Sequence, residues 1–236
     1  LETSATEVLD DIKLKVMPEI LSKYHTVTPL YEGQNREAKK TTDSVGVVGP
    51  IILLLIYIVI AFTFRSYSQP ILLIVMIPFS MIGVVWGHYF HNFSIGILSF
   101  LGIIALVGIM VNDGLVLIGK FNNYLKEGMK FDEALIRAGQ SRFRAIVLTS
   151  LTTVAGLAPL LLEKSRQAQF LIPMAISISY GIAIATILTL VMLPLLLSVS
   201  NSVKVGIKWL KTGEKVNKEE VERAIIESKF DEHEDH

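Results

Sequence analysis

The sequence predicts an α-helical integral membrane protein, and three observations predict it. No Asp, Glu, Lys or Arg occurs in four stretches: Ser44 to Phe64, Ser66 to Asn112, Ala145 to Leu162, and Gln167 to Val203. Apolar runs of roughly 18 residues or more read as membrane spans. Of the 236 residues, 51% are hydrophobic and only 19% are charged, against about 25% charge in soluble domains. The cations that remain gather in alternate connections. A compact soluble domain is therefore excluded. Net charge is zero and no basic face stands out, so nucleic acid is not an expected partner. Cysteine is absent, which excludes disulfides, thiolate metal sites and a Cys nucleophile.

The chain opens on Leu1, with no basic leader and short apolar stretch behind it, and is expected to be one part of a larger protein. Val8, Leu9, Ile12, Val16, Ile20 and Leu21 recur at three- and four-residue spacings and predict a helix over 4–23, with Pro18 late in it. The β-branched stretch His25 to Tyr31, ending in Glu32-Gly33, reads as a strand. A polar segment, Gln34 to Asp43, completes an extramembrane α/β piece over 1–43. The transmembrane bundle is expected over 44–203, with spans at about 46–64, 70–90, 95–119, 145–162 and 171–198. The run Ser66 to Asn112 must be two spans, because one helix of that length would reach about 60–70 Å, twice the bilayer core. The break falls at the aromatic and polar turn His88 to Ser94.

Arg65, the 120–144 loop and the 204–236 tail hold 1, 6 and 7 Lys+Arg, whereas the turns at 88–94 and 163–168 hold none and 2. The positive-inside rule then makes the 120–144 loop and the tail cytoplasmic and residues 1–43 external. Within the loop, Phe131 to Ala138 is expected to form a short amphipathic helix on the membrane surface. The tail is expected to carry a charged helix near 217–229 and a solvated acidic end, Asp231 to His236.

Asp113 is the one unequivocal acid inside a predicted span. A charge at that depth costs roughly 2.5–3.5 kcal/mol on insertion scales and marks a functional residue by default. One reading is proton handling. The other is a polar contact to a neighbouring helix, or a side chain that reaches cytoplasmic water. Asn112 and Gly114 add polarity and close approach beside it, and Lys120 lies two turns away on the same face. Arg142 and Arg144 precede the fourth span, as relay residues or as anchors that snorkel. Thr149, Ser150, Thr152 and Thr153 follow them, with hydroxyls that return to backbone carbonyls or cross to another helix. Gly83 and Gly87 form a small-xxx-small motif, and Gly108 lies with Gly114 on the third span, all four as helix-packing positions. His88 and His91 are expected at the interface and not as metal ligands. No metal or cofactor site is expected, and no phosphate-binding loop supports ATP-driven transport.

These residues together resemble one family. Phe64-Arg65-Ser66-Tyr67-Ser68-Gln69-Pro70, then Ile77-Pro78-Phe79 and Gly83, resemble resistance–nodulation–division (RND) permeases of the hydrophobe/amphiphile, acriflavine-resistance branch. The likeness continues through Gly108 to Leu117, Glu127-Gly128, Glu133-Ala134, Arg142 to Thr153, and Gln169 to Ala175. Tyr31 to Gln34 resembles the end of the last periplasmic porter subdomain. The resemblance covers about residues 1–200 and implies a homotrimeric proton antiporter with twelve helices in the bacterial inner membrane. This chain would supply helices eight to twelve. The helices before them, most of the porter region and a helix-four aspartate pair that carries protons would belong to a missing N-terminal half. A periplasmic adaptor, an outer-membrane channel and membrane lipid would be the other partners. Arg142 and Thr149 match the relay Arg and Thr of helix eleven. The Lys that drug pumps place one residue before Asn112 is Val111 here, and Asp113 cannot replace it, because two residues rotate a helical side chain by about 200°. The expected function is that of the C-terminal transmembrane portion of a proton-driven multidrug efflux transporter. The rival expectations are a non-transporting scaffold or split pump subunit, and a related branch that exports lipid, metal or protein.

Overall fold

The structure is a computed structural model that describes residues 8, 11–24, 26, 28–29, 34–213 and 216–226, without the side chains of 34–45 and 166. It divides at Pro50 into two compact units, which are taken separately. In the first, a π-turn over Ile12–Val16 runs straight into helix α1 (Met17–Lys23), which has Pro18 as its second residue. Among the described residues there is no strand. The one expected at 25–31 falls largely outside them, and Thr26, Thr28 and Pro29 are not extended into a ladder. The polar stretch 34–43 is helical, the opening of α2 (Gln34–Phe64). Pro50 lies inside that helix.

The second unit holds the rest of α2 and the helices α3 (Ser68–His91), α4 (Ile97–Lys126), α5 (Phe131–Leu162), α6 (Arg166–Ile187) and α7 (Leu193–Thr212). A π-turn, Leu188–Met192, joins α6 to α7 without a break. Five helical stretches among the described residues are long and apolar enough to cross a membrane, the last running continuously over Gln167–Thr212. The protein is a helical multi-pass membrane protein. The predicted spans match these stretches in number; the first coincides with Gly46–Phe64 and the other four are shorter, because polar residues flanking an apolar run extend a helix into the interface at little cost.

Two connections depart from the sequence reading. Residues 131–138 do not form a separate surface helix; they are the first turns of α5, whose 32 residues run unbroken. Their apolar side, Phe131, Ala134, Leu135 and Ala138, is buried in the protein core with Phe121 and Leu125 and so is withdrawn from lipid. Phe121 and Phe131 meet edge to face with ring centroids 5.3 Å apart. The tail forms a 3-10 turn, Glu219–Val221, and one further helical turn within the described residues; positions 227–229 of the expected helix lie outside them.

Helix α6 is the hub, packing on α3, α4 and α5. Water does not drive helices together in lipid, so close backbone approach at small residues has to supply much of the contact. A Cβ on Gly83 would collide with the Tyr180 carbonyl, and one on Gly87 would lie 2.7 Å from the Tyr180 ring. Gly102 sits the same way against Met174 and Ser177, at 2.7 Å, and Gly181 against Leu106. Within the second unit, α2 reaches this core through Ile56, Ile60 and Phe64.

Candidate functional site

Helices α4 and α5 form an antiparallel hairpin. The turn between them uses Gly128 in the left-handed conformation, φ 85°, where a side chain would be strained. Met129 N–H closes the turn onto the Tyr124 carbonyl at 3.1 Å. At 1.5 Å per residue, Asp113 lies about 20 Å from the end of α4, Arg142 about 17 Å into α5 and Thr149 about 27 Å into it. The hairpin therefore brings the carboxyl to a depth between the guanidinium and the hydroxyl. It does not bond them: no hydrogen bond or ion pair among the described residues joins any two of Asn112, Asp113, Arg142 and Thr149.

Their surroundings differ. Asn112 and Thr149 are exposed, and Asp113 and Arg142 are half-buried. Thr149 donates to the Ala145 carbonyl at 2.9 Å within its own helix. Arg142 Nε is buried without a hydrogen-bond partner among the described residues, an arrangement worth about 1–3 kcal/mol of lost solvation or more for a charged group. Gly108, one turn from Asn112, is also exposed, and a Cβ there would meet nothing within 4 Å. The close packing expected of Gly108 is therefore absent within the described chain, in contrast to Gly83, Gly87 and Gly114, where the Leu73 side chain presses on the helix. On α5, Thr152 and Gly156 are exposed too, and a Cβ on Gly156 would also meet nothing within 4 Å. Val111 points the other way, buried in the core with Met110 and Leu117. Thr153 and Thr152 bond back to Thr149 and Leu148 carbonyls, and Ser150 alone crosses, to the Thr186 hydroxyl on α6.

Three polar pins were not foreseen from the sequence. Gln69 and Asn122 exchange two amide hydrogen bonds of 2.9 and 3.1 Å between α3 and α4, both side chains buried. His88 is buried between the Val84 carbonyl at 2.9 Å and the Ser99 hydroxyl at 2.8 Å. Asn201, Lys204 and Glu222 meet at the other end of the bundle. A polar residue inside an apolar run is the only sequence signal for such pins, and it names no partner.

The fold, with five helices long and apolar enough to cross a membrane, defines a multi-pass helical membrane protein. The profile of the AcrB/AcrD/AcrF family matches residues 3–200. The chain belongs to that family, the RND permeases its motifs resemble. It is 28% identical over 164 residues to the cobalt-zinc-cadmium resistance protein CzcA of Cupriavidus metallidurans, covering 70% of this chain. It is 27% identical over 161 residues, 68% of this chain, to the multidrug resistance protein MdtC of Erwinia tasmaniensis. It spans 15% and 16% of the lengths of these two relatives. The fold is similar to the crystal structure of a heavy metal efflux pump, with a TM-score of 0.67 at 22% identity, over 83% of this chain and 20% of that one.

Proposed function

We propose that this chain is the C-terminal transmembrane portion of a proton-driven RND efflux transporter, supplying helices eight to twelve. The observation that carries this reading is the open polar face on α4 and α5. Asn112, Asp113, Arg142 and Thr149 lie there within about 10 Å of one another along the helix axes, Asn112 and Thr149 exposed and Asp113 and Arg142 half-buried, beside Gly108 and Gly156, which have no neighbour within the described chain. Polar groups at membrane depth need partners, and helices one to seven would supply them. In the assembled permease, protonation changes the charge on intramembrane carboxylates. Helices that bind the two charge states differently then shift, and the shift is passed to the periplasmic region. The residues proposed for this relay are Asn112, Asp113, Arg142 and Thr149, with the main proton carriers on the other half.

The basic connections favour a cytoplasmic side for the turn between α4 and α5 and for the tail, and family membership favours the bacterial inner membrane. A homotrimer working with a periplasmic adaptor and an outer-membrane channel is the assembly this family membership supports. The proposed cargo is hydrophobic or amphiphilic compounds, favoured by the aromatic and proline pattern of Tyr67 to Phe79. Metal cations are the second reading, because CzcA and MdtC stand within one percentage point of each other in identity to this chain.

The test uses a strain deleted for its own pumps. Residues 1–236 alone should confer no resistance, and co-expression with the preceding helices should restore export of a hydrophobic dye without raising tolerance to zinc or cobalt. Resistance from residues 1–236 alone would refute the proposal. Metal tolerance without dye export would replace the first cargo reading with the second.

A further inference from the structure

The end of the bundle where α4 leaves, α5 starts and α7 finishes is crossed by a short segment, residues 216–226. Gly213 ends α7 with φ 72°, in the left-handed region, where glycine turns a chain back at little cost. On one side the segment grips the start of α5. Lys218 Nζ lies 2.8 and 2.9 Å from the two carboxylate oxygens of Asp132 and 5.8 Å over the Phe131 ring. Glu219 accepts the Phe131 N–H at 2.8 Å. The first N–H groups of a helix have no partner inside it, and Lys130, the residue before α5, provides no side-chain cap. The cap comes instead from a residue 88 positions along the chain.

On the other side the segment grips α7. Glu222 is buried and accepts from Asn201 Nδ2 at 2.8 Å and from Lys204 Nζ at 3.1 and 3.2 Å. The same Asn201 amide donates to the Lys218 carbonyl at 2.8 Å. Ala224 is buried, and Ile225 packs on the core. A buried ion pair is a weak stabiliser compared with an apolar contact of the same size, but it fixes one register. Lys204 keeps 26% of its side chain exposed, so water can reach the pair if it parts. These are the properties of a catch that opens.

We propose that residues 216–226 are a releasable clasp that ties the start of α5 to α7 and sets the resting axial position of α5. Helix α5 runs without interruption from Phe131 through Arg142 to Thr149, so a shift at its first turn moves both. Only the transport arm of the test rests on the function proposed above.

The test uses the full-length permease in lipid nanodiscs. Amide hydrogen exchange over Phe131–Leu135 should become about tenfold faster in Glu219→Ala and in Lys218→Asp. The double variant Asp132→Lys/Lys218→Asp should recover most of the protection, and Glu220→Ala, which loses only a bond to Asn217, should exchange like wild type. If Glu219→Ala and Lys218→Asp both exchange like wild type, there is no clasp. For release, Asp132→Cys/Lys218→Cys is bridged with a short bifunctional methanethiosulfonate. Bridging should at least halve the initial transport rate, and reductant should restore it. A bridged protein that transports at the unbridged rate overturns release. A permease that transports nothing in any form argues against the proposed function, and the exchange data still decide the clasp.

Discussion

At Asp113 the sequence and the structure say different things. The residue type and its depth are readable from the chain alone: one acid between Asn112 and Gly114 in an apolar run. What the sequence could not give was its surroundings. Asp113 is half-buried, without a bonded partner among the described residues, while Val111, two positions before it, is packed in the core. Asp113→Asn is nearly isosteric but cannot ionise. In the full-length permease it should lower the initial efflux rate by about tenfold at unchanged expression, less than the ~100-fold or more expected from loss of a primary acid–base group. Arg142→Ala should behave alike, and Lys130→Ala, exposed at the turn, should not. Efflux from Asp113→Asn equal to wild type over external pH 5.5–8 would reduce Asp113 to a polar contact. The glycines divide as sharply. Gly83→Leu must push against the backbone of Tyr180 and should lower the thermal midpoint in micelles, as overpacking by about 1–3 kcal/mol does. Gly108→Leu should leave the midpoint of this chain unchanged but impair the full-length permease, where the preceding helices are proposed to cover the open face. Equal effects of the two in this chain would contradict the packing described.

At the scale of elements, apolar run length foretold five spans, but not where the helices end. Run length reports lipid contact, and a helix continues past it wherever no breaker intervenes. Helix α5 is the clearest case: nothing between Ala138 and Ala145 interrupts it, so the expected surface helix and the fourth span are one. Periodicity did mark Phe131, Ala134 and Leu135 as one apolar side. It could not say whether that side faced lipid or Phe121 and Leu125. Pairings across helices are equally silent in a single sequence, and Gln69–Asn122 is an example. Gln69→Ala leaves a buried amide unsatisfied at Asn122, which should cost about 1–3 kcal/mol. Gln69→Leu/Asn122→Leu, which removes both polar partners, should recover much of that loss. Thermal unfolding of the two variants in the same micelle measures it, and a double variant no better than the single would show that the pair is not coupled.

For the whole molecule, the motifs in their order and spacing pointed to the family, and the match over residues 3–200 establishes it. Cargo and partners are not readable here, since the chain spans about a sixth of its curated relatives. The asymmetry of Lys and Arg predicts that the turn between α4 and α5 faces the cytoplasm. The chain has no native cysteine, so Lys130→Cys can be labelled cleanly; it should react with an impermeant maleimide only after the membrane is opened, and labelling in intact spheroplasts would invert the topology. The central proposal is that proton movement through the full-length permease, relayed in part by this bundle, drives efflux. The most direct measurement is substrate transport by the full-length permease in proteoliposomes under an imposed pH gradient, with proton flux recorded at the same time. Substrate should accelerate proton flux, collapse of the gradient should stop transport, and Arg142→Ala should weaken both together. Transport that continues unchanged after the gradient is collapsed would contradict the account.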